Sequence, residues 1–163
     1  MYGLVPFNLS PIQQGIQYGH GVVEYTNKYF NSDERLEQWM KEDKTFIILN
    51  GGTTNTRIIQ ETLRPVGTLN EQLETLKQNG VKHATFYEPD LGDQLTAIVF
   101  LVDDRVFDKE TYPDFNWDLF LPDPAFQHTQ LEYQDIRYRE WLVKIGGFQN
   151  EFLRDFLLQF NLA

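Results

Sequence analysis

Short apolar runs bounded by turn residues alternate, as far as about residue 102, with longer stretches whose apolar positions recur every three or four residues. The runs Tyr2 to Phe7, Thr45 to Leu49, Val81 to Tyr87 and Leu95 to Val102 predict strands. Between the first two, Ser10 as N-cap, Pro11 at the first helical position and Gln13 closing a capping box predict a helix to about Asn27. Its apolar positions Ile12, Ile16 and Val23 are expected on the buried side, with Gly15 and Gly19 allowing close backbone packing. A second helix, Asp33 to Glu42, is expected to be capped by Ser32 and to present Leu36, Trp39 and Met40. A third begins at the capping box Thr68/Glu71, carries Leu69, Leu73 and Leu76 on one face and ends at Asn79-Gly80. Ile58 to Leu63 has no clear period, and the alternation as a whole predicts a layered α/β sandwich.

The pattern changes at Asp103. Tyr112-Pro113, Pro122-Asp123-Pro124 and the aromatics Phe107, Phe115, Trp117, Phe120 and Phe126 predict an irregular segment held by packing, too apolar for a disordered linker. Helices follow over about Leu131 to Ile145 and Gln149 to Phe160, separated by Gly146-Gly147. Phe148, Phe152, Phe156 and Phe160 recur every four residues and, with Leu153 and Leu157, read as a packing stripe rather than a partner-binding face. Residues 1–102 are thus expected to form an α/β core, and 103–163 a mainly helical, aromatic-rich extension packed on the same domain.

Composition narrows the classes of function. At 163 residues and 41% hydrophobic the chain can bury a sizeable single core. The absence of cysteine excludes disulfides and thiolate chemistry. With no signal-peptide pattern and no apolar run long enough to span a bilayer, the expectation is a soluble, cytoplasmic protein without membrane partners, in which Asn8-Leu9-Ser10 is a chance glycosylation match. A formal charge of −10, from 24 acidic and 14 basic residues, repels polyanions at long range and counts against broad nucleic-acid binding. It also suits docking on a basic protein partner, including the role of a virus-encoded inhibitor of a host protein.

Three segments hold candidate chemistry. On the first helix Gln13, Gln17, His20 and Glu24 follow at steps of four, three and four, which puts two amides, an imidazole and a carboxylate on one face. His20 could act as base or donor with Glu24 orienting its ring; a satisfied histidine tying helix to strand is the plainer reading. Glu88, Asp90 and Asp93 crowd one loop, an arrangement that suits acid–base work on an ester or phosphate, although Pro-Asp-x-Gly is also what an ordinary turn requires. The stretch Asn50 to Arg57 (NGGTTNTR) suggests a small-anion cradle with Arg57 as counter-charge, without the lysine and spacing of a P-loop. His20, His83 and His128 show no metal-ligand spacing, so neither metal nor cofactor is expected.

Taken in order, these segments resemble the type 2 peptidyl-tRNA hydrolases. The features that carry the resemblance are a strand, a helix with Gln17 and His20 separated by small residues, Trp39 leading into a strand, a helix ending in Asn79-Gly80-Val81, a strand, Asp90-Leu91-Gly92 and a last apolar strand. They cover about Tyr2 to Val102. The resemblance implies a three-layer α/β/α fold with a small mixed sheet of about four strands, a tendency to homodimerise, no cofactor, and hydrolysis of the ester between a peptide and the terminal ribose of tRNA. By position Asp90 would orient or deprotonate a water and Thr96 would steady the oxyanion. Gln13, Gln17 and His20 would hold the 3′ end of tRNA, with Glu24 beside them. The family's lysines at the helix start are replaced by Pro11 and Gln13, and the Gly92 to Thr96 connection is shorter. Those departures equally suit a catalytically degenerate relative that binds a protein or a small nucleotide.

Overall fold

A computed structural model describes residues 1–59, 62–120 and 127–163. The chain divides into two compact units, one made of residues 1–101 with 159–163 and the other of 102–158. The first unit contains β1 (Tyr2–Pro6), α1 (Pro11–Tyr29), α2 (Glu34–Gln38), β2 (Ile47–Gly52), β3 (Asn55–Ile59), β4 (Thr62–Val66), α3 (Thr68–Gln78), β5 (His83–Glu88) and β6 (Gln94–Phe100). Four of its strands form a mixed sheet in the order β2-β1-β6-β5. β1 runs parallel to β2 and antiparallel to β6, and β5 is antiparallel to β6. β1, β2 and β5 therefore finish, and β6 starts, at the same end of the sheet.

Helices cover both faces. A Cβ placed on Gly3 or Gly21 would run into Tyr18 or Val99 respectively, so glycine at these positions is what lets α1 lie directly on β1 and β6. A Cβ on Gly51 would meet Leu4 and Leu69, which sets α3 against the opposite face. Since alternate residues of a strand point to opposite faces, Gly3 and Val99 belong to the α1 layer and Leu4 to the α3 layer. This is the α/β/α sandwich expected from the sequence. Its centre is Leu4, Val5, Leu69, Leu76, Ile98, Val99 and Phe100, all fully enclosed. Residues Gln159–Ala163 rejoin this unit: Leu162 bridges Leu49, and Asn50 and Ala163 donate backbone bonds to the carbonyls of Asn161 and Ile48.

Several expectations are corrected. α1 buries Gln14, Gln17, Tyr18, Gly21 and Tyr25, whereas Ile12, Ile16 and Val23 are 77%, 51% and 58% exposed. At roughly 100° per residue the two sets lie on opposite sides of the helix. Gly15 and Gly19 face open space; the close approach is made by Gly21. α2 is capped by Asp33 rather than Ser32 and passes into one wide turn, Trp39–Asp43. Burial pushes the Asp33 carboxyl up, but hydrogen bonds and charge from Arg35 and Lys82 outweigh it and hold the group below the ordinary carboxylate range. α3 takes Gly67, which has no side chain, as its N-cap in place of Thr68, and the Thr68 hydroxyl, one residue into the helix, accepts from the Thr53 amide. β2 begins at Ile47 and continues through Asn50-Gly51-Gly52. Much of the supposed loop and of the stretch without period is the hairpin β3–β4, with Asn55 opposite Val66 and Arg57 opposite Arg64.

The second unit contains α4 (Gln127–Ile145) and α5 (Phe148–Phe156) with short 3₁₀ turns at Asp104–Val106 and Trp117–Phe120. Arg154, its side chain 2% exposed, holds the irregular segment by reaching Asp114 at 2.7 Å and the carbonyls of Arg105 and Tyr112 at 2.7 and 2.6 Å. Phe115 lies edge-on to Trp117 and Tyr138, and the Trp141 indole donates to the Pro113 carbonyl. Burial and Glu151 push the Tyr138 hydroxyl up to about 12. Of the expected stripe, Phe156, Leu153 and Leu157 are buried and Phe148 is 67% exposed. Pro122-Asp123-Pro124 and Phe126 lie outside the described residues.

Candidate functional site

A reciprocal capping box fixes the N-terminus of α1. Ser10 accepts from the Gln13 amide while the Gln13 side-chain oxygen accepts from the Ser10 amide and hydroxyl at 3.1 and 2.9 Å, so Gln13 is engaged at the cap. Gln14 is buried and donates to the Pro6 carbonyl at 3.0 Å, pinning the β1–α1 connection; this residue carried no signal in the sequence beyond its polarity. One turn on, Gln17 faces the sheet and is 6% exposed.

Gln17 is the middle of a three-residue chain. The Thr96 hydroxyl donates to its side-chain oxygen at 2.7 Å, and its side-chain nitrogen donates to Glu88 at 2.6 Å. The other Glu88 oxygen accepts the Asp90 amide at 3.4 Å, so the carboxylate joins the helix to the turn as well as to Gln17. Thr96 can reach α1 because the β5–β6 ladder skips it: Phe86 pairs with Ala97 and Tyr87 with Leu95. Such a bulge adds one residue to a strand and re-aims its side chain. Thr96 is fully enclosed, with the Phe86 carbonyl at 3.4 Å as a second acceptor.

The other predicted residues surround this chain. His20 is exposed and stacks on Phe86, ring centres 4.4 Å apart and 16° from parallel. It thus links helix to strand through its ring face. Glu24, one turn further along α1, is exposed. Asp90 lies exposed in the one-turn 3₁₀ segment Pro89–Leu91, which Glu88 caps and Gly92 closes at φ 68°, while the Asp93 amide returns to the Glu88 carbonyl at 3.0 Å. The structure therefore joins Gln17 to Thr96, seats His20 on the strand that leads to Asp90, and leaves Gln13 occupied at the helix cap. Glu88, noted in the sequence only as one of three crowded carboxylates, connects Gln17 to the turn that bears Asp90. Among the described residues no group of three or more histidines, aspartates or glutamates is arranged to hold a metal ion. No helix among them is long and apolar enough to cross a membrane.

At the same end of the sheet, on the far side of β1, a second polar region is formed where β2 gives way to the β3–β4 hairpin. Asn8, Thr53, Thr54, Asn55 and Arg57 wall a cavity of about 410 Å³ there. The Thr54 hydroxyl is buried without a hydrogen-bond partner. Strand carboxyl ends of an α/β sheet are where ligands of such folds usually bind, which makes this end the candidate functional face. No protein-family model, no curated protein and no solved structure matches the chain.

Proposed function

We propose that the chain is a peptidyl-tRNA hydrolase-like esterase that cleaves the bond between a peptide and the terminal ribose of tRNA. One observation carries this reading: Gln17, on the polar face of the first helix, and Thr96, singled out only by the resemblance, are 79 residues apart in sequence and meet at 2.7 Å beside the turn that bears Asp90. In this mechanism Asp90 takes a proton from a water as the water oxygen bonds to the ester carbonyl carbon; the carbon–oxygen bond to the ribose then breaks and Asp90 returns that proton to the departing ribose oxygen. Thr96, being enclosed, acts through Gln17 as a positioning residue. The exposed His20 ring, already parallel to Phe86, offers its edge and face to the terminal adenosine. The test is single-turnover hydrolysis of a labelled peptidyl-tRNA by the wild type and by Asp90→Ala, with folding of both checked by circular dichroism. A loss of roughly a hundredfold or more in the variant is expected. No turnover in the wild type, or equal turnover in both, overturns the reading.

A second reading is favoured by the closure of the Gln17 chain, by Pro11 and Gln13 where the resembled family has lysines, and by the charge of −10. Here the same face binds a nucleotide or a protein without chemistry. Titration with deacylated tRNA and with adenosine monophosphate separates the two: saturable binding without hydrolysis of peptidyl-tRNA supports this reading, and absence of binding to either removes its nucleotide form.

A further inference from the structure

Independently of the ester chemistry, we propose that the cavity between the β1–α1 connection and the β3–β4 hairpin binds a phosphate group carried by a small molecule. Its lining includes no acidic residue: Asn8, Thr53, Thr54, Asn55 and Arg57 stand with Val66 and Gly67. In a chain with 24 acidic residues that is a local reversal of the prevailing charge. Thr54 is 8% exposed, yet its hydroxyl has no partner, and a buried donor left unmade is a cost that folding alone does not repay.

The hairpin adds a second cost of the same kind. Arg57 stands directly opposite Arg64, and like charges in directly opposed positions destabilise an antiparallel pair. Asn55 and Val66 form the pair two residues away and line the cavity together with Arg57, and the two-residue period of a strand puts Arg64 on the same face of the hairpin just outside that lining. Arg35, Arg105, Arg137, Arg139 and Arg154 each reach a carboxylate; Arg57 and Arg64 do so with none of the described residues. The Arg57 guanidinium in the lining, with Arg64 paired to it across the hairpin, is suited to the oxygens of a phosphate, which would offset the repulsion between the two arginines.

The first amides of α3 do not provide the site, because those of Thr68 and Leu69 already bond Thr53. The recognition rests on side chains. The volume exceeds that of a phosphate ion, so the cavity has room for part of the group that carries it.

Calorimetric titration at low ionic strength tests this with inorganic phosphate, adenosine monophosphate and adenosine, using the wild type, Arg57→Gln, Arg64→Gln and Thr54→Val, each confirmed folded by circular dichroism. The wild type is expected to bind phosphate saturably in the millimolar range or better, with each arginine variant at least about tenfold weaker, as expected when a charge-assisted contact is lost. Adenosine monophosphate bound more tightly than phosphate, with adenosine silent, identifies a phosphomonoester as the ligand; equal affinity identifies free phosphate. Heats for phosphate that do not saturate overturn the proposal, as does binding that both arginine variants leave unchanged. Because no tRNA is involved, failure here is distinct from failure of the hydrolase reading.

Discussion

The Gln17 chain and the Thr53–Arg57 cavity lie at one end of one sheet and treat a buried threonine in opposite ways. Thr96 is fully enclosed and donates at 2.7 Å to an amide that in turn donates to a carboxylate. Thr54, nearly as buried, has a hydroxyl with no partner and lines a cavity with Arg57, which is paired with Arg64 in the hairpin. In the first region polar groups satisfy one another and fix geometry; in the second the Thr54 hydroxyl is left unpaired. A closed network stabilises the fold but has little left to offer a ligand, whereas an open one costs stability and keeps its donors available.

The sharpest way to break this comparison is Gln17→Ala, which strips a partner from both Thr96 and Glu88. We expect a loss of about 2–3 kcal/mol in urea-induced unfolding, since each stranded buried group costs roughly 1–3 kcal/mol. A smaller loss would mean that the network contributes less to the fold than its geometry implies. The same substitution at both threonines sharpens the contrast. Thr96→Val leaves the Gln17 oxygen without its donor and should cost about 1–2 kcal/mol, while Thr54→Val removes a buried hydroxyl that bonds nothing and should raise stability by up to about 1 kcal/mol. Equal losses would show that the two hydroxyls are equally engaged in solution. The smallest effect is expected for Arg64→Gln: relief of the cross-strand repulsion should raise stability by a few tenths of a kcal/mol, roughly the low end for such pairs. That gain should shrink as salt is added, because exposed charges are screened.

Much of the architecture was legible in the sequence. The capping box at Ser10 and the Leu69, Leu73 and Leu76 stripe gave correct helices, because caps and apolar periods are local signals. The buried face of α1 was not legible. Hydrophobicity selects Ile12, Ile16 and Val23, but the side that packs is the one where Gly21 admits Val99 and where Tyr18 and two glutamines find hydrogen-bond partners across the sheet. Contact distance and polar satisfaction decided the face, and neither appears in an apolar count. The bulge at Thr96 was hidden for a related reason: it is a property of how β5 and β6 pair, and neither strand alone carries it. The hairpin β3–β4 was missed because its residues show no alternation that marks a core-facing side. Arg57 was visible as a possible counter-charge, but Arg64 gained meaning only from the register that sets the two opposite each other.

The return of Gln159–Ala163 to the first unit has a consequence for self-association. β2 is an outer strand of the sheet, and an outer strand normally presents a row of unpaired amides and carbonyls that can template the addition of another chain. Here the Asn50 amide and the Ile48 carbonyl on that margin are occupied by Asn161 and Ala163, with Leu162 bridged to Leu49 between them. A segment of only five residues thus closes the side on which a second molecule could extend the sheet, and resistance to β-sheet polymerisation at this margin depends on its staying docked.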